Sequence, residues 1–509
     1  MGVIARQSIK GALANYAGVA IGFVTTFFVL TRCLTTEEVG LTRVMVDAAV
    51  LFSSLALLGT NSSVVRFFPY FSDGGRNRGV FGLSLLLPLV GFGLFGLLFL
   101  LFRDGIVGLY EGRSPLLAEY VGLLPMLVFC AMYLTVFETN ASVLLRITVP
   151  KLVREVGIRL LTLASYVLYG LGWVSFDGFV WLFCGSYGVA MLLSAFYLLR
   201  ITGFDLGVFK VDFHAIDRRL WGEMLRYSLL MTAVVIAGNV PLLSTLFLGA
   251  KTGLAATGVY AIALYIANVV EVPYRSLGAV SRPILAASAK SGRWGEVNRL
   301  GRQVSLHQML VSLTIFFLIW INLDLLFSLL PNGEAYAGGA GVVFVLGLAK
   351  VVNSSFAVGA DVLNYSRFYV WSLLFALVLT GAALVCNQWL IGVWGINGAA
   401  VATLLSYVAY FLLLLWFVWR RLRVHFFSVG QVKVVAVVAV GLLLGEAWEW
   451  GVGKLVGGEY GVGMRIVLAA VKTVVLGGGL LWAVVKWRVS DEVNELIGKT
   501  LRLNKANKG

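Results

Sequence analysis

Long apolar segments recur from Ile9 to about Trp487 and are separated by short polar stretches. Each segment holds about 20 residues, the length that a helix needs to cross the ~30 Å hydrocarbon core of a bilayer. The 509 residues are 60% hydrophobic and only 13% charged, a composition typical of membrane proteins. The pattern therefore predicts an all-α protein with many membrane spans, because the strands of a membrane barrel would alternate in polarity over ~10 residues.

The basic residues predict how the chain is oriented. About 31 of the 40 Lys and Arg fall in every second loop or at the adjoining helix ends, and positive charge marks the cytoplasmic side. Because this alternation requires an even number of spans, both termini are predicted to be cytoplasmic. The fourteen predicted helices are Ile9–Thr31, Val44–Val65, Val80–Phe102, Tyr120–Leu144, Val156–Val174, Gly178–Leu199, Met224–Leu248, Thr257–Leu277, Val304–Leu329, Gly339–Leu363, Phe368–Leu390, Ile396–Trp419, Val432–Trp450 and Met464–Trp487.

Several classes of function are excluded by what the sequence contains. The net charge of +15 reflects loops near anionic headgroups, since no basic segment interleaved with aromatic residues indicates nucleic-acid binding. The four cysteines and three histidines are too scattered to predict a metal site. The sequence has no Walker motif, which would indicate an ATPase, and no HExxH or GxSxG motif in a context that would indicate a hydrolase. We therefore expect no catalytic residue, no cofactor and no enzyme activity.

A short internal repeat predicts how the helices are grouped. Thr36–Leu41 follows the first helix and Ala255–Tyr260 follows the seventh, and aligning Gly40 with Gly258 gives an offset of 218 residues. The repeat predicts a six-helix bundle in residues 1–205 and a second one in 206–425. Helices 13 and 14 form an appended pair in 426–488, followed by a cytoplasmic tail in 489–509. Because six is even, both bundles have the same orientation, as in transporters built from parallel repeats.

Two such bundles predict a transporter whose polar cavity opens to alternate sides of the membrane. An ionisable residue at the centre of a span costs about 2.5–3.5 kcal/mol and therefore normally faces protein or water. The deepest such residue is Lys350, near the middle of helix 10. The predicted substrate-binding residues are Lys350, Arg159, Arg275, Arg66, Asn353, Asn239 and Asn140. The predicted ion-coupling residues are Asp47, Glu138, Glu271 and Asp361.

Some of these residues have a simpler interpretation. Arg66, Arg159 and Arg275 are near the inner boundary, where a long side chain can reach the headgroups. Glu271 and Arg275 have the (i, i+4) spacing of a neutralising pair, and Lys472 in helix 14 could bind lipid or face a groove. The deep cations favour an anionic substrate headgroup, since Arg and Lys both bind phosphate.

The order and spacing of several short motifs resemble a known family. These motifs are Ala5–Ser8, Leu34–Gly40, Leu58–Phe67, Arg226–Ser228 and Gly258–Tyr260. They resemble bacterial polysaccharide flippases of the O-antigen type, which belong to the multidrug/oligosaccharidyl-lipid/polysaccharide exporter superfamily. The resemblance covers nearly the whole chain and includes the number of helices.

The resemblance implies a flippase of the bacterial inner membrane that serves the synthesis of cell-surface polysaccharide. Its substrate would be a lipid-linked oligosaccharide, typically carried on undecaprenyl pyrophosphate. Its partners would be membrane lipids, a polysaccharide polymerase and glycosyltransferases. The sequence leaves three alternatives open, namely a lipid II flippase, a drug/ion antiporter of the same superfamily, and a non-transporting scaffold in a polysaccharide synthesis complex.

Overall fold

A computed structural model describes residues 17–71, 80–205, 218–237, 240–456, 461–490 and 494. These residues form helices and turns, and no strand occurs among them. Ten of the described helices are long and apolar enough to cross a membrane. Two shorter apolar helices, Ala17–Cys33 and Leu242–Lys251, accompany them. The predicted all-α membrane fold is therefore confirmed, while fourteen spans and cytoplasmic termini remain predictions.

The chain forms two compact units. The first, called the N-unit, comprises Met1–Ala261 and Asn387–Ile396, and the second, the C-unit, comprises Ile262–Cys386 and Asn397–Gly509. The described helices up to residue 251 are α1 (Ala17–Cys33), α2 (Thr36–Ala56), α3 (Thr60–Phe71), α4 (Val80–Glu111), α5 (Pro115–Val143), α6 (148–170), α7 (Phe176–Ile201), α8 (Arg218–Ala237) and α9 (Val240–Lys251).

The helix α10 (Leu254–Asn268) begins in the N-unit and continues into the C-unit. A 3₁₀ turn at Val269–Glu271 separates it from α11. The remaining helices are α11 (Val272–Lys290), α12 (Trp294–Ile321), α13 (Leu323–Leu329), α14 (Gly333–Ala337), α15 (Ala340–Asn364), α16 (Trp371–Leu422), α17 (Val429–Val456) and α18 (Val462–Lys486).

The long segment α16 is a helical hairpin. At Gly395 the backbone adopts φ 54° and ψ −126°, which is not helical. The rings of Trp371 and Phe417, on either side of this glycine, have centroids 4.8 Å apart. The chain therefore reverses direction at Gly395, and its two halves correspond to predicted helices 11 and 12.

Several helices begin earlier than the apolar runs indicate. Thr35 and Glu38 form a capping box that starts α2 at Thr36, eight residues before the predicted Val44. The helix α12 likewise starts at Trp294, ten residues before the predicted Val304. Hydropathy identifies the part of a helix that lies in lipid, whereas the helix itself can begin earlier among polar residues, as at the capping box of α2.

The α2 helix also breaks where a single span was predicted. Leu58 and Gly59 both have left-handed backbone angles, with φ of 48° and 66°. A Cβ at Gly59 would lie 2.0 Å from the carbonyl oxygen of Ser228, so only glycine fits there. The chain resumes as α3 at Thr60, which places a non-helical turn between α2 and α3.

A reciprocal glycine contact joins α2 and α10 within the N-unit. A Cβ at Gly40 would lie 2.0 Å from the carbonyl oxygen of Leu254, and a Cβ at Gly258 would lie 1.9 Å from that of Thr36. The offset of 218 residues relates Thr36 to Leu254 and Gly40 to Gly258. A reciprocal contact of this kind is expected of two copies of one motif related by a twofold axis, and the internal repeat itself stays a prediction.

Candidate functional site

The N-unit contains a polar cavity of about 260 Å³, which we call the arginine cavity. Helix α2, the turn after it and the helices α3, α5, α6 and α8 contribute its lining. Two of these helices, α2 and α5, are long and apolar enough to cross a membrane, so a polar cavity beside them is suited to a polar ligand. Its polar lining residues are Ser53, Ser54, Asn61, Thr135, Arg154 and Thr232.

Arg154 supplies the positive charge of this cavity. Its side chain is 35% exposed, and its Nε lies 2.6 Å from Oε2 of Glu138 on α5. Its Nη2 donates a hydrogen bond of 2.8 Å to Oγ1 of Thr135. A guanidinium carries five N–H donors, so these two contacts leave it able to bind an anion as well.

The local helix geometry explains how Arg154 reaches the cavity. Residues Val153–Gly157 form a π-helical turn within α6, and such turns are frequent at functional sites. The sequence interpretation assigned Arg154 to a cytoplasmic loop, because it started helix 5 at Val156. In the structure α6 begins at Thr148, and Pro150 lies in its first turn. Proline is common near the start of a helix, so Pro150 was a signal that could have placed the predicted start earlier.

The predicted ion-coupling residue Asp47 is buried and bonded on α2. Arg43 Nε and Thr245 Oγ1 each donate a hydrogen bond of 2.7 Å to its Oδ2. Asp47 therefore connects α2 to α9 within the N-unit. Glu138, the second such residue of this unit, is the partner of Arg154.

The predicted substrate-binding residue Arg159 links α6 to α1. It donates a hydrogen bond to the carbonyl oxygen of Gly18, and its Nη2 lies 3.4 Å from Oε2 of Glu155. A Cβ at Gly18 would lie 2.6 Å from the carbonyl oxygen of Glu155, which shows how closely the helices approach. These contacts indicate a role in packing.

Arg66 and Asn140 also have partners in the N-unit. The Arg66 guanidinium carbon lies 4.3 Å from the ring centroid of Tyr227, a cation–π contact between α3 and α8. Asn140 is fully buried, and its Nδ2 donates a hydrogen bond of 2.7 Å to Oγ of Ser84. Neither residue is among those that line the arginine cavity.

In the C-unit, Lys350 forms a buried ion pair with Glu271. Lys350 Nζ lies 2.9 Å from Glu271 Oε2, and the two side chains are 7% and 15% exposed. Asn353 donates a hydrogen bond to the other carboxylate oxygen. The structure therefore brings together three of the predicted site residues. Glu271 ends the 3₁₀ turn, so the ion pair also fixes the junction of α10 and α11.

A second ion pair lies eleven residues further along both helices. Arg282 Nε on α11 donates a hydrogen bond of 3.0 Å to Oδ2 of Asp361 on α15, and Arg282 also bonds the hydroxyl of Tyr274. Burial disfavours the charge of Arg282, but Asp361 and Tyr274 outweigh this effect and raise the pKa of Arg282. In the first pair the acid precedes α11 and the base is on α15, whereas in the second pair the base is on α11 and the acid is on α15. Because both pairs advance by eleven residues in the same direction, the two helices run parallel.

Two predicted site residues remain, together with Lys472, for which the sequence suggested contact with lipid or a groove. Asn239 and the side chain of Arg275 lie outside the described residues, so the predicted pairing of Glu271 with Arg275 stays a prediction. Lys472 on α18 forms an ion pair with Glu449 on α17. Among the described residues, no group of three or more His, Cys, Asp and Glu is arranged to hold a metal ion.

Three solved structures show what this fold resembles. The lipid II flippase MurJ in an inward closed conformation matches with a TM-score of 0.67 and 11% identity, covering 92% of this chain and 98% of that one. An inward-facing multidrug resistance MATE family transporter of the MOP superfamily matches with a TM-score of 0.59 and 16% identity, covering 83% and 98%. A MOP superfamily transporter from Pyrococcus furiosus gives 0.52 and 15%, covering 83% and 96%.

These likenesses show that the chain has the fold of the flippase and MATE transporter structures. Residues 4–288 match the family described as polysaccharide biosynthesis protein. The chain therefore belongs to this family, and the resemblance seen in the sequence is confirmed. No curated protein sequence matches the chain.

Proposed function

We propose that this protein is a flippase that moves a lipid-linked oligosaccharide across the bacterial inner membrane for the synthesis of cell-surface polysaccharide. The observation that carries the proposal is membership of a polysaccharide biosynthesis family, on a fold that resembles a lipid II flippase. The substrate would be carried on undecaprenyl pyrophosphate, and a polymerase and glycosyltransferases would act beside the flippase. The two predicted six-helix bundles would open to alternate sides of the membrane, with both termini in the cytoplasm.

The arginine cavity supports an anionic headgroup as the transported part. Arg154 is partly exposed and surrounded by hydroxyl groups, which suits phosphate oxygens and sugar hydroxyls. We assign headgroup binding to Arg154 and a mainly structural role to Lys350, whose charge is matched by Glu271. If ions drive transport, Glu138 is the best-placed of the four predicted acids, since its release from Arg154 would change the charge of this cavity.

The two alternative transporter functions are supported to different degrees by the solved structures. A drug/ion antiporter is less well supported, because the exporter structures cover 83% of this chain and the lipid II flippase covers 92%. The larger coverage is consistent with an appended helix pair that serves a lipid substrate. Lipid II itself remains the second candidate, because its headgroup is also a pyrophosphate sugar.

The test is transport by the purified full-length protein in liposomes. Three substrates would be compared: an undecaprenyl-pyrophosphate-linked oligosaccharide, lipid II, and a cationic drug. We expect transfer of the first between leaflets, measured by the accessibility of its sugar to an added lectin. Transfer of lipid II alone or of the drug alone would support the corresponding alternative, and transfer of none would support a scaffold.

A further inference from the structure

An apolar groove of about 500 Å³ lies beside the arginine cavity, within the N-unit. Side chains of α2, α4 and α5 form most of its lining. Leu94, Leu98 and Phe102 on α4 line it and are exposed on the surface of the unit. Since α4 is long enough to cross the membrane, the groove is open to a hydrocarbon environment.

The groove offers its occupant hydrocarbon and almost no polar group. Two hydroxyl-bearing side chains, Tyr110 and Thr232, belong to its lining. Tyr110 donates its hydrogen to the carbonyl oxygen of Leu246 at 3.2 Å, and Thr232 donates to that of Ser228 at 2.9 Å. Both donors are therefore used within the protein, which leaves an alkyl or isoprenoid chain as the matching occupant.

The arginine cavity and the apolar groove share a boundary. Thr232 lines both of them. The turn between α2 and α3 contributes residues to both compartments. Leu57 and Gly59 line the arginine cavity, and Leu58 between them lines the groove. The left-handed backbone at Leu58 and Gly59 thus separates a polar compartment from an apolar one at a single turn.

We propose that the two compartments form one site for an amphiphile, with a phosphate group at Arg154 and its hydrocarbon chain in the groove beside α4. This inference rests on the proposed function and deepens it, since it places the head and the chain of the substrate on the same unit. The chemistry is shared by a polyprenyl phosphate carrier and by an anionic phospholipid, so the test must distinguish these two sources.

The experiment is native mass spectrometry of the full-length protein, titrated with polyprenyl phosphate, uncharged polyprenol, inorganic phosphate and phosphatidylglycerol. Arg154→Gln tests the polar compartment, with Lys151→Gln on the same helix as the matched control. Leu98→Trp fills the groove, and Leu97→Trp is its control, because Leu97 is exposed on α4 but does not line the groove. Thermal unfolding of each variant shows that it is folded.

We expect Arg154→Gln to weaken polyprenyl phosphate binding at least about tenfold and to leave polyprenol binding unchanged, since a charge-assisted hydrogen bond is lost. Leu98→Trp should weaken the binding of both polyprenyl ligands and leave the binding of inorganic phosphate unaffected. Polyprenyl phosphate that resists displacement by phosphatidylglycerol identifies the carrier as the source, and equal displacement identifies a membrane lipid.

The proposal is overturned if folded Arg154→Gln and Leu98→Trp bind polyprenyl phosphate as the unmodified protein does, or if each control loses as much as its test variant. The liposome assay separates this failure from that of the proposed function. Normal binding without oligosaccharide transfer would contradict the flippase only. If the unmodified protein transfers the oligosaccharide, but neither variant weakens polyprenyl phosphate binding, only the amphiphile site would be contradicted.

Discussion

The N-unit and the C-unit differ at two positions that the predicted internal repeat relates. The offset that relates Gly40 to Gly258 also relates Ser53 on α2 to Glu271 at the end of the 3₁₀ turn. Ser53 faces the arginine cavity, whereas Glu271 is closed off by Lys350 and Asn353. The first position therefore borders a cavity with a partly exposed cation, and the second belongs to a buried ion pair.

The comparison shows why depth in the membrane is an incomplete guide to function. Lys350 lies near the middle of α15, yet its side chain is 7% exposed and its charge is already matched. Arg154 is 35% exposed and lines a cavity that can admit a ligand. A buried charge pair is costly to break, while a partly exposed one can exchange partners at small cost.

The largest effect should follow from breaking the C-unit pair. Lys350→Ala leaves the Glu271 carboxylate buried without its cation, and we expect a loss of about 3–5 kcal/mol in stability. The loss would be seen as lower abundance and a lower melting temperature in detergent. The double variant Glu271→Gln/Lys350→Met should recover most of it, since no charge is left buried. If Lys350→Ala were as stable as the unmodified protein, the structural role of this lysine would be wrong.

The close contact between Gly40 and Leu254 can be tested next. Gly40→Ala places a Cβ against the carbonyl oxygen of Leu254, and we expect a loss of about 1–3 kcal/mol through forced separation of α2 and α10. Gly93→Ala on α4 is the control, because its Cβ would meet nothing within 4 Å. Thermal unfolding that is equally affected in both variants would argue against a close crossing at Gly40.

The second C-unit pair should matter less than the first. Arg282 and Asp361 are 38% and 20% exposed, so solvent can compensate part of the lost charge. We expect Arg282→Gln to lower stability by about 1–2 kcal/mol, between the values for buried and surface pairs. A loss as large as that of Lys350→Ala would show that exposure does not distinguish the two pairs.

The smallest effect on stability should come from the N-unit. Arg154→Gln removes a partly exposed cation, and we expect a change below about 1 kcal/mol. Oligosaccharide transfer should nevertheless fall strongly, which unfolding and transport assays on one preparation can compare. A large loss of stability in this variant would place Arg154 with Lys350 as a structural residue.

The sequence was sufficient to predict an all-α membrane protein because apolar spans are encoded locally. Apolar runs of about 20 residues locate the helices, and Gly40 and Gly258 point to the repeat before any contact is known. The helix ends were less accurate because a capping pair such as Thr35 and Glu38 acts outside the apolar run.

The candidate site was harder to predict because it depends on tertiary contacts. The depth of Lys350 is visible in the sequence, but its partner Glu271 lies 79 residues away on another helix. Arg154 was assigned to a loop because the polar start of α6 conceals a helical residue. Cavities such as the one it lines depend on how α2, α5 and α8 pack, which no local pattern contains.

The most direct test is oligosaccharide transfer in liposomes by Arg154→Gln and by the double variant Glu271→Gln/Lys350→Met, each at equal amounts of folded protein. We predict that the double variant retains transfer and that Arg154→Gln loses at least about tenfold in rate. Unchanged transfer in Arg154→Gln, together with loss in the folded double variant, would contradict this account and return the substrate-binding role to Lys350.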